Sequence, residues 1–205
     1  MLRLRAPVRR AQAGAGVIAP AASGATGTLP GLVVGVAAGV SRAVRDLTYP
    51  LATALYVVPR IAMLPLVLVA MGINDEARVF MVAFSVFFIV FFSALSGVEQ
   101  VDRACIEAAR AFGAGRTRLG LTVLLPGAAP AVFSGLRVAM GFALIVIVGT
   151  EFLAANDGLG ARIWTSYQIF DFPSMYAGIV AVTVLGVLLA WALLGLEWLL
   201  VPWRR

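Results

Sequence analysis

The chain has 205 residues, is 61% hydrophobic and carries a net charge of +6. Soluble domains are about 45–50% apolar, so this composition excludes an ordinary soluble fold and points to a membrane protein that crosses the bilayer several times. All 16 basic residues are arginine, histidine is absent and Cys105 is the only cysteine. That excludes three kinds of chemistry: a phosphate-binding loop of the kind that needs a lysine, a metal site built on imidazoles or several thiolates, and an intrachain disulfide. No cofactor is expected, and any ATP chemistry belongs to a partner.

Residues 1–28 read as a basic segment rich in Gly, Ala and Pro, with Arg3, Arg5, Arg9 and Arg10 at its start. A basic start followed by an apolar middle is the pattern of a signal peptide, but weak hydrophobicity and Pro20 argue against one. A membrane domain is expected over residues 29–205. Residues 29–40 suit a helix ending at a basic turn, Arg42 to Arg45. Residues 47–74 are apolar but interrupted by Pro50, Pro59, Arg60 and Pro65, and read as one kinked span because interior proline removes a hydrogen bond. After a polar turn at Asn74, Asp75 and Glu76, residues 78–98 form the cleanest span, with a phenylalanine run from Phe80 to Phe92 expected to pack or face lipid. Residues 99–126 form a charged loop, residues 130–150 span again and Glu151 ends that span. Residues 152–173 read as a polar segment with an outer turn from Asn156 to Gly160, and residues 174–198 as the last span before Trp203, Arg204 and Arg205. A bilayer core of about 30 Å needs roughly 20 apolar residues per helix, so the expected architecture is an all-α transmembrane bundle of about five spans.

Arginine placement orients the spans. Arg42, Arg45, Arg103, Arg110, Arg116, Arg118, Arg204 and Arg205 fall on one side by span parity, against Arg78 and Arg162 on the other. Positive residues collect on the cytoplasmic side, which puts the 99–126 loop and the C-terminus in the cytoplasm. Five spans then leave the four N-terminal arginines outside. An atypical or truncated start lacking a first helix reconciles the two.

Within the loop, residues 101–112 suit a short helix lying on the membrane face. Arg103 and Glu107 stand at i,i+4 and Glu107 and Arg110 at i,i+3, close enough to pair. Gly113 fits a helix stop that needs the left-handed conformation, Gly115 lets the chain turn again and Pro126 is expected to break the run before the next span. Cys105 is expected to be a small packing residue beside this helix. On composition alone, a solvated loop with ordinary caps accounts for the segment.

The loop also has a register: Glu107-Ala108-Ala109, three residues, Gly113, nine residues, then Val123, one residue, Leu125-Pro126. This resembles the EAA loop of the permease subunits of binding-protein-dependent ABC importers, with Val123 in place of Ile. The flanks ALYVVPRIAMLPLVLVAMGI and GLRVAMGFALIVIVGTEFLAANDGLGARIW look like the nitrate/sulfonate/taurine branch of that family, and the resemblance runs from about residue 32 to 205. It implies a MetI-like fold, usually of six helices, in the bacterial inner membrane. It also implies a second permease copy, ATP-binding cassette ATPase subunits docked at Glu107, Ala108, Ala109, Gly113, Leu125 and Pro126, and a solute-binding protein, periplasmic or lipid-anchored, at the outer face. The implied substrate is a small anion such as a sulfonate, taurine or nitrate.

Arg60, Arg137 and Glu151 are the pathway candidates, since charges at membrane depth are costly and often functional; each also reads as an interfacial or solvated charge, and Glu151 as a partner of Arg162. Glu197 is expected to snorkel at the last boundary. The rival classes are a stand-alone secondary transporter or channel and an integral membrane enzyme. Neither explains the register of the loop. The pI of 10.7 does not point to nucleic acid, because the arginines sort by membrane side and are not interleaved with aromatics.

Overall fold

The computed structural model describes residues 26–72, 74–154 and 158–202, without the side chains of Arg116 and Ala154. The basic start with Arg3, Arg5, Arg9 and Arg10, the turn residues Asn156 and Asp157, and Trp203, Arg204 and Arg205 lie outside the described residues. Among the described residues every regular element is helical.

In chain order these are α1 (Thr26–Val40), α2 (Arg42–Tyr56), a short 3₁₀ turn (Ile61–Met63), α3 (Leu64–Met71), α4 (Asp75–Glu99), α5 (Arg103–Ala111), α6 (Arg116–Leu119), a π turn (Gly120–Leu124), α7 (Leu125–Ala154), α8 (Leu159–Gln168) and α9 (Phe172–Leu200). Among the described residues, three helical stretches are long and apolar enough to cross a membrane: Asp75–Glu99, Thr117–Leu153 and Phe172–Leu200. A fourth crossing is made if Arg42–Tyr56 and Ile61–Met71, bent by 80° at the break between them, count as one span. α1 is a shorter apolar helix.

Sequence chemistry explains the boundaries. Asn74 Oδ1 accepts from the Ala77 N–H at 2.8 Å, and Asp75 and Glu76 occupy the first turn of α4. The expected polar turn is therefore the N-terminal cap of α4, with its acids at the positive end of the helix dipole. Arg42 and Arg45 do not form a turn. They open α2 after a break at Ser41, and Arg45 reaches Glu99 at 2.5 Å. Pro126 does not interrupt the run after the loop either, since α7 begins one residue earlier. Proline brings no N–H and its ring crowds the preceding turn. The wider π turn lies just ahead of it, closed by the Leu125 N–H on Gly120 O.

The contacts gather into two units. The first comprises Met1–Gly27 (described from Thr26), Pro59–Ser85 and Gly141–Val187. Within it Gly27 lies against Ala83, Gly178 against Ile163 and Gly186 against Leu144. The 152–173 segment, read as a polar stretch, contains the helix α8, which takes in Leu159 and Gly160 of the expected turn. Its one-sided burial of Gly160, Ala161 and Ile163 is an amphipathic pattern too short and mixed to stand out from the sequence. The chain leaves α8 through Phe170 at φ +59, and Asp171 Oδ1 accepts from the Ser174 N–H at the start of α9.

The second unit comprises Thr28–Val58, Val86–Met140 and Leu188–Arg205. α4 is central to it: Phe88, Ile89, Val90, Phe91, Ala94, Leu95 and Val98 are all buried. The phenylalanine run here packs more than it faces outward, with Phe88 and Phe91 buried and Phe92 in T-shaped contact with Tyr49 and Tyr56. Gly31, Gly35 and Gly39 of α1 lie so close to α4 that a Cβ would come within 2.6 Å of Phe87 O, 2.5 Å of Phe91 O and 2.6 Å of Val98 Cβ. Small residues every fourth position let helix backbones approach closely in lipid, where no hydrophobic drive pulls helices together.

Candidate functional site

α5 carries an exposed charged face of Arg103, Glu107 and Arg110. Asp102 caps it, its carboxylate accepting from the Ala104 N–H at 2.9 Å. The far end is a Schellman stop: Gly113 N–H donates to Arg110 O at 2.9 Å and Ala114 N–H to Ala109 O at 3.0 Å, with Gly113 at φ +78. The sequence expectation of a left-handed glycine at 113 is met. Ile106 and Ala109 face inward and pack on a small core of Val98, Leu119, Leu124 and Ala128, joined by Val123.

That packing divides the motif in two. Ala109 and Val123 touch the core and hold the loop together. Glu107, Ala108 and Gly113 are exposed, and a Cβ at Gly113 or Gly115 would meet nothing within 4 Å. Leu125 is 38% exposed and Pro126 half-buried at the start of α7. Phe112 is 90% exposed. Two expectations fail here. Glu107 pairs with neither Arg103 nor Arg110 among the described residues, because all three side chains project into open space, where such pairs contribute little. Cys105 is exposed and does not pack. With Ile106 and Ala109 facing the core, helical periodicity turns its neighbour at 105 outward.

The three pathway candidates occupy different settings. Arg60 is half-buried at the bend, where its carbonyl accepts from the Met63 N–H at 3.1 Å. Arg137 of α7 pairs with Glu197 of α9 at 3.2 Å. Glu197 is buried and does not snorkel, because the arginine stands within reach on the facing helix. Glu151 does not pair with Arg162. Its carboxylate accepts from the Gly160 N–H at 2.6 Å, across the start of α8, and Arg78 lies near enough to attract it. Gly158 and Gly160 make room for that contact. Sequence reasoning missed this corner and the Arg137–Glu197 pair, since both join residues on separate elements. The glycine repeat at 27, 31, 35 and 39 was the available signal for the α1–α4 contact.

Among the described residues no cluster of acids or Cys105 could hold a metal ion. The fold defines the class. A chain of the MetNI methionine ABC transporter, crystallised in inward-facing conformations, superposes with a TM-score of 0.79 at 19% identity, covering 96% of this chain and 98% of that one. This is the MetI-like permease fold.

The chain belongs to the family of binding-protein-dependent transport system inner membrane components, which matches residues 31–197. It is 34% identical over 174 residues to the taurine transport system permease protein TauC of Escherichia coli K12, covering 85% of this chain and 63% of that protein. To the putative aliphatic sulfonates transport permease protein SsuC of Bacillus subtilis 168 it is 29% identical over 175 residues, again 85% of this chain and 63% of the relative. The chain thus spans somewhat less than two thirds of the length of these two relatives.

Proposed function

We propose that this chain is the membrane-spanning subunit of an ATP-driven importer, coupled to a separate ATPase through α5 and the Gly113 stop. The observation that carries this reading is the division of the loop motif: Ala109 and Val123 are used in packing and Gly113 ends the helix, while the side chains of Glu107 and Ala108 are displayed outside the small core. A helix held by one face and capped at both ends is a rigid lever, and coupling needs an element whose position both sites can bias. Leu125 and Pro126 fix where the lever joins α7. No step of the hydrolysis is assigned to this chain.

The arginine distribution supports a cytoplasmic loop and C-terminus. A second permease copy, a solute-binding protein at the outer face and surrounding lipid complete the proposed assembly. The named relatives favour taurine or another small sulfonate as substrate, with nitrate in the same class of small anions. Arg60 and Glu151, both half-buried, are the pathway residues to test first, by uptake in Arg60→Ala and Glu151→Ala.

The reading is tested by co-purifying the full chain with its ATPase from membranes. Glu107→Arg and Gly113→Pro are expected to reduce the recovered ATPase by about tenfold, a loss of roughly 1.4 kcal/mol in association. If both variants retain ATPase and uptake at the wild-type level, α5 is not the docking element, and a stand-alone transporter or channel becomes the better reading.

A further inference from the structure

α9 is 29 residues long, yet Glu197 is its only buried residue. Its valines, leucines and isoleucines are partly or largely exposed, including Val180 at 60%, Leu188 at 55% and Leu199 at 68%. No apolar side chain of this helix is fully buried, so apolar burial alone gives it little to fix its seating. In lipid it could not give more, because acyl chains are as apolar as leucine. The contact that is buried is an ion pair. Glu197 Oε2 lies 3.2 Å from Arg137 Nη1, with the glutamate side chain 10% exposed and the arginine 34%. One turn on, Val201 is 4% exposed and its N–H donates to Glu197 O at 2.9 Å.

We propose that Arg137 and Glu197 form a clasp that sets the seating of α9 on α7, and that this is the work the Arg137 charge performs in the bundle. Removing one partner of such a pair withdraws the attraction that offsets the cost of burying charge, whereas exchanging the two preserves it. Arg137 and Glu197 are positioning residues: neither needs to touch substrate. The inference does not depend on which solute the assembly carries.

The test uses the full chain in membranes, with Cys105→Ser removing the native thiol and Val201→Cys reporting whether the end of α9 is seated. Maleimide labelling of the reporter is expected to be slow in this background. It is expected to speed up by about tenfold or more in Arg137→Gln and in Glu197→Gln. The exchanged double variant, Arg137→Glu with Glu197→Arg, is expected to return to within about twofold of the background rate, the signature of a pair and not of two separate defects. If the single variants label no faster, or the exchange labels as fast as the singles, the clasp is refuted. Should the singles be degraded in the cell, membrane yield gives the same answer: recovery in the exchange supports the clasp, and no recovery overturns it.

Discussion

Gly113 is where backbone geometry and the proposed partner contact can be told apart. A Cβ there would meet nothing within 4 Å, so only its φ of +78 demands glycine. Left-handed backbone costs other residues about 1–2 kcal/mol, and asparagine less. Gly113→Asn is therefore expected to leave amide exchange at the end of α5 near wild type, while Gly113→Val accelerates it at residues 112–114. Equal acceleration by both would mean that the partner-free loop has no Schellman stop. The α8 corner makes the opposite case, because both space and backbone are used. Gly158 sits at φ +125 against the Glu151 carboxylate, and a Cβ on Gly160 would come within 2.9 Å of Val148 O. Gly158→Ala and Gly160→Ala are each expected to cost about 1–3 kcal/mol, read as a lowered melting temperature in detergent. Glu151→Gln keeps an acceptor for Gly160 N–H and is expected to cost less than Glu151→Ala. Little of this corner was legible beforehand. Glu151 marked itself as a charge at a span end, but its partner proved to be a backbone N–H, which leaves no trace in residue type.

At the scale of elements, the long apolar runs of α4, α7 and α9 were readable because length and hydropathy alone define a span. The α5 helix and its Gly113 stop were readable because a glycine stop is local chemistry, whereas the Asp102 cap emerged only from the structure. What faces what was not. α9 is apolar all round, so periodicity gives no buried side, and α8 is brief and mixed. The α1–α4 contact was written in the spacing of Gly27, Gly31, Gly35 and Gly39, a repeat that is easily lost among 21 glycines. Gly35→Leu is expected to force α1 off α4, since even a Cβ would come within 2.5 Å of Phe91 O and 2.8 Å of Ala94 Cβ. Overpacking of this kind costs about 1–3 kcal/mol, and a melting temperature no lower than wild type would show that α1 does not depend on the close approach.

For the molecule as a whole, charge and composition narrow the chemistry this chain can carry, and the loop is where the proposed coupling to a partner is tested. Sixteen arginines and no lysine leave no residue for a phosphate-binding loop. The 99–126 loop then exposes the very residues that packing does not use. Family membership was legible from the register of that loop and its flanks. The substrate was not, because pathway side chains are chosen by tertiary facing and not by spacing. Cys105 provides the most direct test of the coupling proposal, being the only thiol in the chain and exposed on α5, two residues from Glu107. A membrane-impermeant maleimide should leave Cys105 unlabelled in intact cells, label it in inverted vesicles stripped of ATPase, and label it several-fold more slowly once the ATPase is added back. Labelling from the outside, or labelling in inverted vesicles that the ATPase does not slow, would contradict the proposal that this loop is the cytoplasmic docking element.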